Sequence, residues 1–147
     1  MIPSDLSYRI EQPCTASAAV VYRVLADVEH WPDWMPGVRS AGWEHLGNDV
    51  AVHGAIRRFS MRGLTTRERI VTAEPPHHQA YTLLSGMPVK NYRADIYIDD
   101  RPAGCLITWQ ATFESRIPLL GNLIRAIARS GIASAAAALA QEAQLQA

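Results

Sequence analysis

The sequence predicts an α+β fold: an antiparallel sheet of about seven strands, two short helices after the first strand, and one long helix at the end. Three observations carry this. Residues 6–12 alternate apolar and polar side chains, and a stretch with helical spacing follows them. Residues 38–115 break into short strand-like segments separated by turn signals, with no room for crossover helices. Beyond Ile117-Pro118 the pattern is helical almost to Ala147. At 147 residues the chain fits one domain, 1–147, large enough to bury a hydrophobic core.

Taken in order, "LSYRIEQ" reads as the first strand, stopped by Pro13. In "TASAAVVYRVLADV", Thr15 or Ser17 can cap a helix through its side-chain oxygen, and Ala18, Val21, Tyr22 and Leu25 form its buried face. Pro32 and Pro36 confine "WPDWMPGV" to a tight turn or helical fragment. "SAGWEHLG" ends at the hairpin signal Gly47-Asn48-Asp49, and "VAVHGAIRRFSM" runs to Arg62-Gly63. "TTRERIVTAE" ends at Pro75-Pro76, "QAYTLLS" at Gly86, "NYRADIYIDD" at Pro102-Ala103-Gly104, and "CLITWQATFES" closes the run.

On the last helix Leu120, Leu123, Ile124 and Ile127 share one face, opposite Arg125 and Arg129. Burying those four would contribute roughly 6–12 kcal/mol gross, enough to dock the helix on the sheet. The same face continues as Gly131, Ser134 and Ala138, whose small side chains either allow close contact or border a space. Ile132, Ala136 and Leu139 form a second stripe, available to a homodimer or membrane contact unless the helix rotates at Gly131 and buries it.

Fourteen basic and fourteen acidic side chains cancel. That argues against a nucleic-acid partner held by phosphate neutralisation. No stretch reaches the ~18 apolar residues of a bilayer span, and the start lacks a basic segment leading into an apolar run. Cys14 and Cys105 lie far apart in the sequence, have no CxxC partner and read as two reduced, buried thiols rather than a disulfide. A cytoplasmic location is the expectation. His30, His45, His53, His77 and His78 show no ligand spacing, so neither a metal nor a cofactor is expected.

Three local patterns carry a family resemblance: "ASAAVVYRVLAD" before "EHWPDWMPGV", then "AEPPHHQAYTLLSGMP", then "AGCLITWQATFE". In this order and spacing the chain resembles the START-like, or birch-pollen-allergen-like, superfamily, and within it the polyketide cyclase/dehydrase and coenzyme Q-binding branch. The resemblance implies a helix-grip fold, a curved sheet wrapped around the long helix with a pocket between them. It implies binding of a small hydrophobic molecule (a quinone, polyketide, sterol-like or acyl ligand) by a carrier or presenter. A cyclase or dehydratase in the same cavity is the alternative, although no residue here matches a catalytic motif.

Candidate lining residues follow. Trp34 and Met35, with Trp31, would close one end of the pocket, or the tryptophans simply pin the turn to the core. Cys105, Ile107, Trp109, Ala111 and Phe113 share a face by the two-residue period, making Trp109 either core or pocket floor. Tyr92, Ala94, Ile96 and Ile98 look inward, and the Tyr92 hydroxyl meets either a ligand or a neighbouring backbone group. Either Arg57 or Arg58 must face the concave side, costly unless it pairs or meets a ligand anion. Arg57 is the chosen polar candidate, with Tyr92 or Tyr81 as its acid/base partner in the enzymatic alternative. Ile127, Gly131, Ser134 and Ala138 supply the helix wall.

Overall fold

The computed structural model describes residues 6–45 and 54–147, so the expected turn at Gly47-Asn48-Asp49 lies outside the described residues. β1 (Leu6–Cys14) leads through α1 (Ala18–Ala26), a 3-10 turn (Val28–His30) and α2 (Trp31–Trp34) into six further strands. These are β2 (Val38–His45), β3 (Ile56–Met61), β4 (Leu64–Glu74), β5 (His78–Ser85), β6 (Val89–Arg101) and β7 (Gly104–Ser115). The long α3 (Gly121–Gln146) follows. The strands form one antiparallel sheet in the order β1-β7-β6-β5-β4-β3-β2, and the whole is the helix-grip arrangement.

Two turns show how the sequence sets the register. Arg62 and Gly63 both take positive φ, 52° and 80°, as a two-residue hairpin of the primed type requires. Met61 therefore pairs with Leu64, and counting outward places Arg57 opposite Glu68. At Gly104, φ is 137° and an added Cβ would fall 2.1 Å from the Cys14 carbonyl oxygen, so only glycine lets the β6–β7 turn approach the end of β1.

Pro13 does not stop the first strand. β1 continues to Cys14, with Pro13 opposite Leu106. As an edge strand paired only with β7, β1 tolerates the missing N–H. Of the two candidate caps, Ser17 is used, its hydroxyl accepting the Val20 N–H at 3.3 Å. The inward sets on β6 and β7 are as the alternation predicts: Tyr92, Ala94, Ile96 and Ile98, and Cys105, Ile107, Trp109, Ala111 and Phe113 are all buried. Cys14 and Cys105 are free and buried, as expected, and stand directly opposite each other in the β1–β7 pairing.

α3 lies along β1, running the same way. Gly121 sits against the Leu6 side chain, and the Cys14 thiol meets the Ala140 carbonyl at 3.6 Å. The backbone amide of Thr15 donates to Gln144 Oε1 at 3.0 Å. The lengths agree, since both the helix and the strand between those contacts span roughly 25–30 Å. The docking face differs from the expected one. Leu123 and Ile127 are 55% and 61% exposed, whereas Ile124, Ala128, Ala135, Ala136, Leu139, Ala140 and Ala143 are buried. Alanines let the helix axis come close to β1 and α1, and close approach outweighs side-chain bulk. The stripe offered for a dimer or membrane contact is thereby turned inward, Ala136 and Leu139 having no exposed surface. By length and composition α3 also satisfies the requirement for crossing a bilayer, a property the sequence reading assigns to no stretch; here it packs on β1, β7 and α1.

Candidate functional site: a buried arginine beneath the sheet

Arg57 points to the concave side and is completely buried, while Arg58 is exposed. Its Nε donates to Glu68 Oε1 at 2.7 Å and its Nη1 to Gln79 Oε1 at 2.9 Å. The guanidinium carbon lies 4.8 Å from the centre of the Trp31 ring and 4.6 Å from that of Tyr81, so the cation is held between two aromatic faces. Trp31 is fixed in turn by its indole N–H, which donates to the Leu25 carbonyl at 3.0 Å, and by an edge contact with Phe59.

A second layer joins this one through Tyr81. Its hydroxyl accepts the Trp109 indole N–H at 3.1 Å, its ring lies near that of Tyr92, and Tyr92 shares a hydrogen bond with Tyr8. Burial pushes the Tyr8, Tyr81 and Tyr92 hydroxyls above the ordinary phenol range. They therefore stay protonated at neutral pH. Burial also raises the Glu68 carboxyl, and the Arg57 guanidinium beside it holds back part of that rise.

Two buried donors beside Arg57, the Tyr22 hydroxyl and the Trp43 indole N–H, have no acceptor among the described residues, and the Gln79 amide nitrogen makes only a loose contact to the Tyr22 oxygen. Gln79 bonds Arg57 through its oxygen, Trp43 stands opposite Arg57 in the β2–β3 pairing, and both Gln79 and Arg57 act on the Tyr22 hydroxyl. Buried donors without acceptors are uncommon in folded proteins, and here they gather around one cation.

The structure brings together Arg57, Tyr81, Tyr92 and Trp109 from the sequence candidates. Met35 is buried and Trp34 partly so, but Trp31 is the tryptophan that reaches the arginine. Ile127, Gly131 and Ser134 are exposed and Ala138 partly exposed, all on the α3 flank turned away from Arg125 and Arg129. Of two open grooves, about 650 Å³ on β1, β6, β7 and α3 and about 610 Å³ on β2, β3 and the start of β4, neither is lined by Arg57, although Trp43 lines the second. The sequence reading missed Glu68, Gln79, Tyr22, Trp43 and Tyr8. Glu68 had a signal, because the Arg62-Gly63 turn dictates its pairing.

The family model described as polyketide cyclase / dehydrase and lipid transport matches residues 6–145. Among solved structures, the Zhui aromatase/cyclase from Streptomyces sp. R1128 superposes with a TM-score of 0.79 at 17% identity, over 97% of this chain and 94% of that one. A START superfamily protein from Mycobacterium smegmatis gives 0.78 at 18% identity, over 97% and 99%. The norcoclaurine synthase of Thalictrum flavum gives 0.71 at 17%, over 97% and 98%. At such identities the likeness is one of fold. A comparison with curated protein sequences gave no significant match.

Proposed function

We propose that the protein, which belongs to the polyketide cyclase/dehydrase and lipid-transport family, binds a small apolar molecule bearing carbonyl or hydroxyl oxygens and carries or presents it. The observation that supports this is the pair of unpartnered donors of Tyr22 and Trp43 beside the buried Arg57. Together they suit a ligand with more than one acceptor oxygen, such as a quinone or polyketide, better than a plain hydrocarbon chain or a sterol-like compound. Uncovered apolar surface is available for its body on Phe59, Met61 and Leu83 of the sheet and on Leu120, Leu123 and Ile127 of α3. The two free thiols suit a reducing cytoplasm as the setting.

The test is native mass spectrometry of freshly purified protein, followed by tryptophan quenching with quinones, polyaromatic ketones, sterols and acyl chains. Saturable quenching by oxygenated compounds, weakened about fivefold or more by Tyr22→Phe through loss of one donor, supports the reading. Quenching by none of them, or equally by compounds lacking acceptor oxygens, rejects it.

One observation favours a second reading, a cyclase or dehydratase. Protonated phenols lie next to a cation, and such a group can stabilise an enolate oxygen while a phenol lends its proton. In that case Arg57→Met abolishes turnover of a reactive polyketone while apolar binding persists.

A further inference from the structure

The larger groove, about 650 Å³, is formed on the outer face of the sheet where β1, β7 and β6 meet the flank of α3. Two cross-strand rows make its floor, Ser7–Thr112–Arg93 and Arg9–Gln110–Asp95. Arg125 and Arg129 form its wall. Four arginines from three elements thus border one groove, against a single carboxylate.

That carboxylate is already engaged. Asp95 accepts from Arg93 at 3.1 and 3.3 Å, contacts His78 Nε2 at 2.7 Å, and takes the Tyr97 hydroxyl at 3.4 Å. Among the described residues Arg9 has only Glu11, at 3.6 Å with both side chains more than half exposed. Arg125 and Arg129 are the only charged residues between Arg116 and Glu142. One helical turn apart, they repel each other. Among the described residues neither forms an ion pair or a side-chain hydrogen bond. Three guanidinium groups therefore face the groove with little or no compensating charge.

We propose that this groove binds the phosphate-ester or diphosphate group of a phosphorylated molecule between Arg9, Arg125 and Arg129. A guanidinium donates two parallel hydrogen bonds to phosphate oxygens, and the neighbouring Ser7 and Thr112 hydroxyls and Gln110 amide supply neutral donors. The groove exceeds the needs of a lone phosphate and falls within the size of small-molecule sites. Its lining offers no exposed aromatic platform for stacked bases. The site is separate from Arg57 and independent of what occupies the interior.

The test is calorimetric titration of the whole protein with pyrophosphate against sodium chloride at equal ionic strength. Saturable binding, weakened about tenfold or more in Arg125→Gln/Arg129→Gln, supports the proposal. Two further arms separate the sources of the group. Competition by ADP identifies a soluble diphosphate; retention on vesicles of phosphatidic acid in phosphatidylcholine, lost in the double variant, identifies a lipid headgroup. Arg125 and Arg129 continue the azimuth of the buried Ala136, Ala140 and Ala143 but are themselves exposed, so an unchanged Tm of the double variant shows that folding is not the cause. Pyrophosphate binding no better than chloride, or binding that the double variant retains in full, overturns the proposal.

Discussion

Arg57 and Glu68 face each other across the β3–β4 hairpin with Nε and Oε1 2.7 Å apart, and both side chains are buried. The two-residue turn at Arg62-Gly63 imposes their pairing, and Trp31 and Tyr81 enclose the arginine. Removing one member leaves a buried charge without its counter-ion. Glu68→Leu is therefore expected to cost about 3–5 kcal/mol in urea unfolding, and Arg57→Met/Glu68→Leu to recover most of that loss. A double variant as unstable as the sum of the singles would contradict this coupling.

The revised docking face of α3 leads to a contrast between neighbours. Ala136 has no exposed surface, so Ala136→Leu should overpack the helix against its supports and cost roughly 1–3 kcal/mol. Ser134→Leu, two positions away and exposed, should change stability by no more than about 0.5 kcal/mol. If Leu123 and Ile127 cover a bound apolar molecule, Leu123→Ser/Ile127→Ser lowers its affinity while Tm stays put. A Tm drop there would restore the bulky face as the docking face.

Burial, with Cys14 alongside, pushes the Cys105 thiol up to about 12. Only the thiolate attacks alkylating agents, so native protein at pH 8 should resist iodoacetamide at Cys105 and react on unfolding. Rapid native labelling at Cys105, read by peptide mass spectrometry, would show that β1 and β7 part readily.

Asp95 connects acidity to stability. Burial raises its carboxyl, but hydrogen bonds from Arg93 and His78 outweigh that and hold it below the ordinary range. A carboxyl lowered on folding releases its proton more readily in the native state. Its stabilisation is therefore present above the ordinary aspartate pKa and disappears as pH falls through the lowered one. Wild type should exceed Asp95→Asn in stability at neutral pH, and the gap should close as the solution is acidified below the ordinary aspartate range. A gap independent of pH would assign the effect of the substitution to packing alone.

Much of this was legible in the sequence because the strand period is strict. The inward sets of β6 and β7 follow from alternation, and Phe59 and Met61 share the parity of Arg57, which settles it against Arg58. Counting outward from Arg62-Gly63 reaches Glu68. The tyrosine pair was not legible in this way. Tyr8 and Tyr92 lie 84 residues apart and meet only because β7 separates their strands. Helix α3 misled for a different reason. A helical wheel ranks faces by side-chain bulk, whereas the contact with β1 selects the face that permits the nearest approach.

β1 leaves the ribosome before every other strand of this sheet, yet among the described residues its strand partner is β7 alone, and Ile10 meets Trp109 99 positions later. The strands of residues 38–115 pair with their neighbours in sequence and can zip together hairpin by hairpin. β1 must wait through that whole interval with Leu6, Tyr8 and Ile10 uncovered, and then wait further for α3. Such long loops close slowly, which sets the expected refolding time in the range of milliseconds to seconds, with sheet closure as the late step. During that interval the nascent chain carries an unpaired edge, the form most open to pairing with a neighbour and to capture by chaperones.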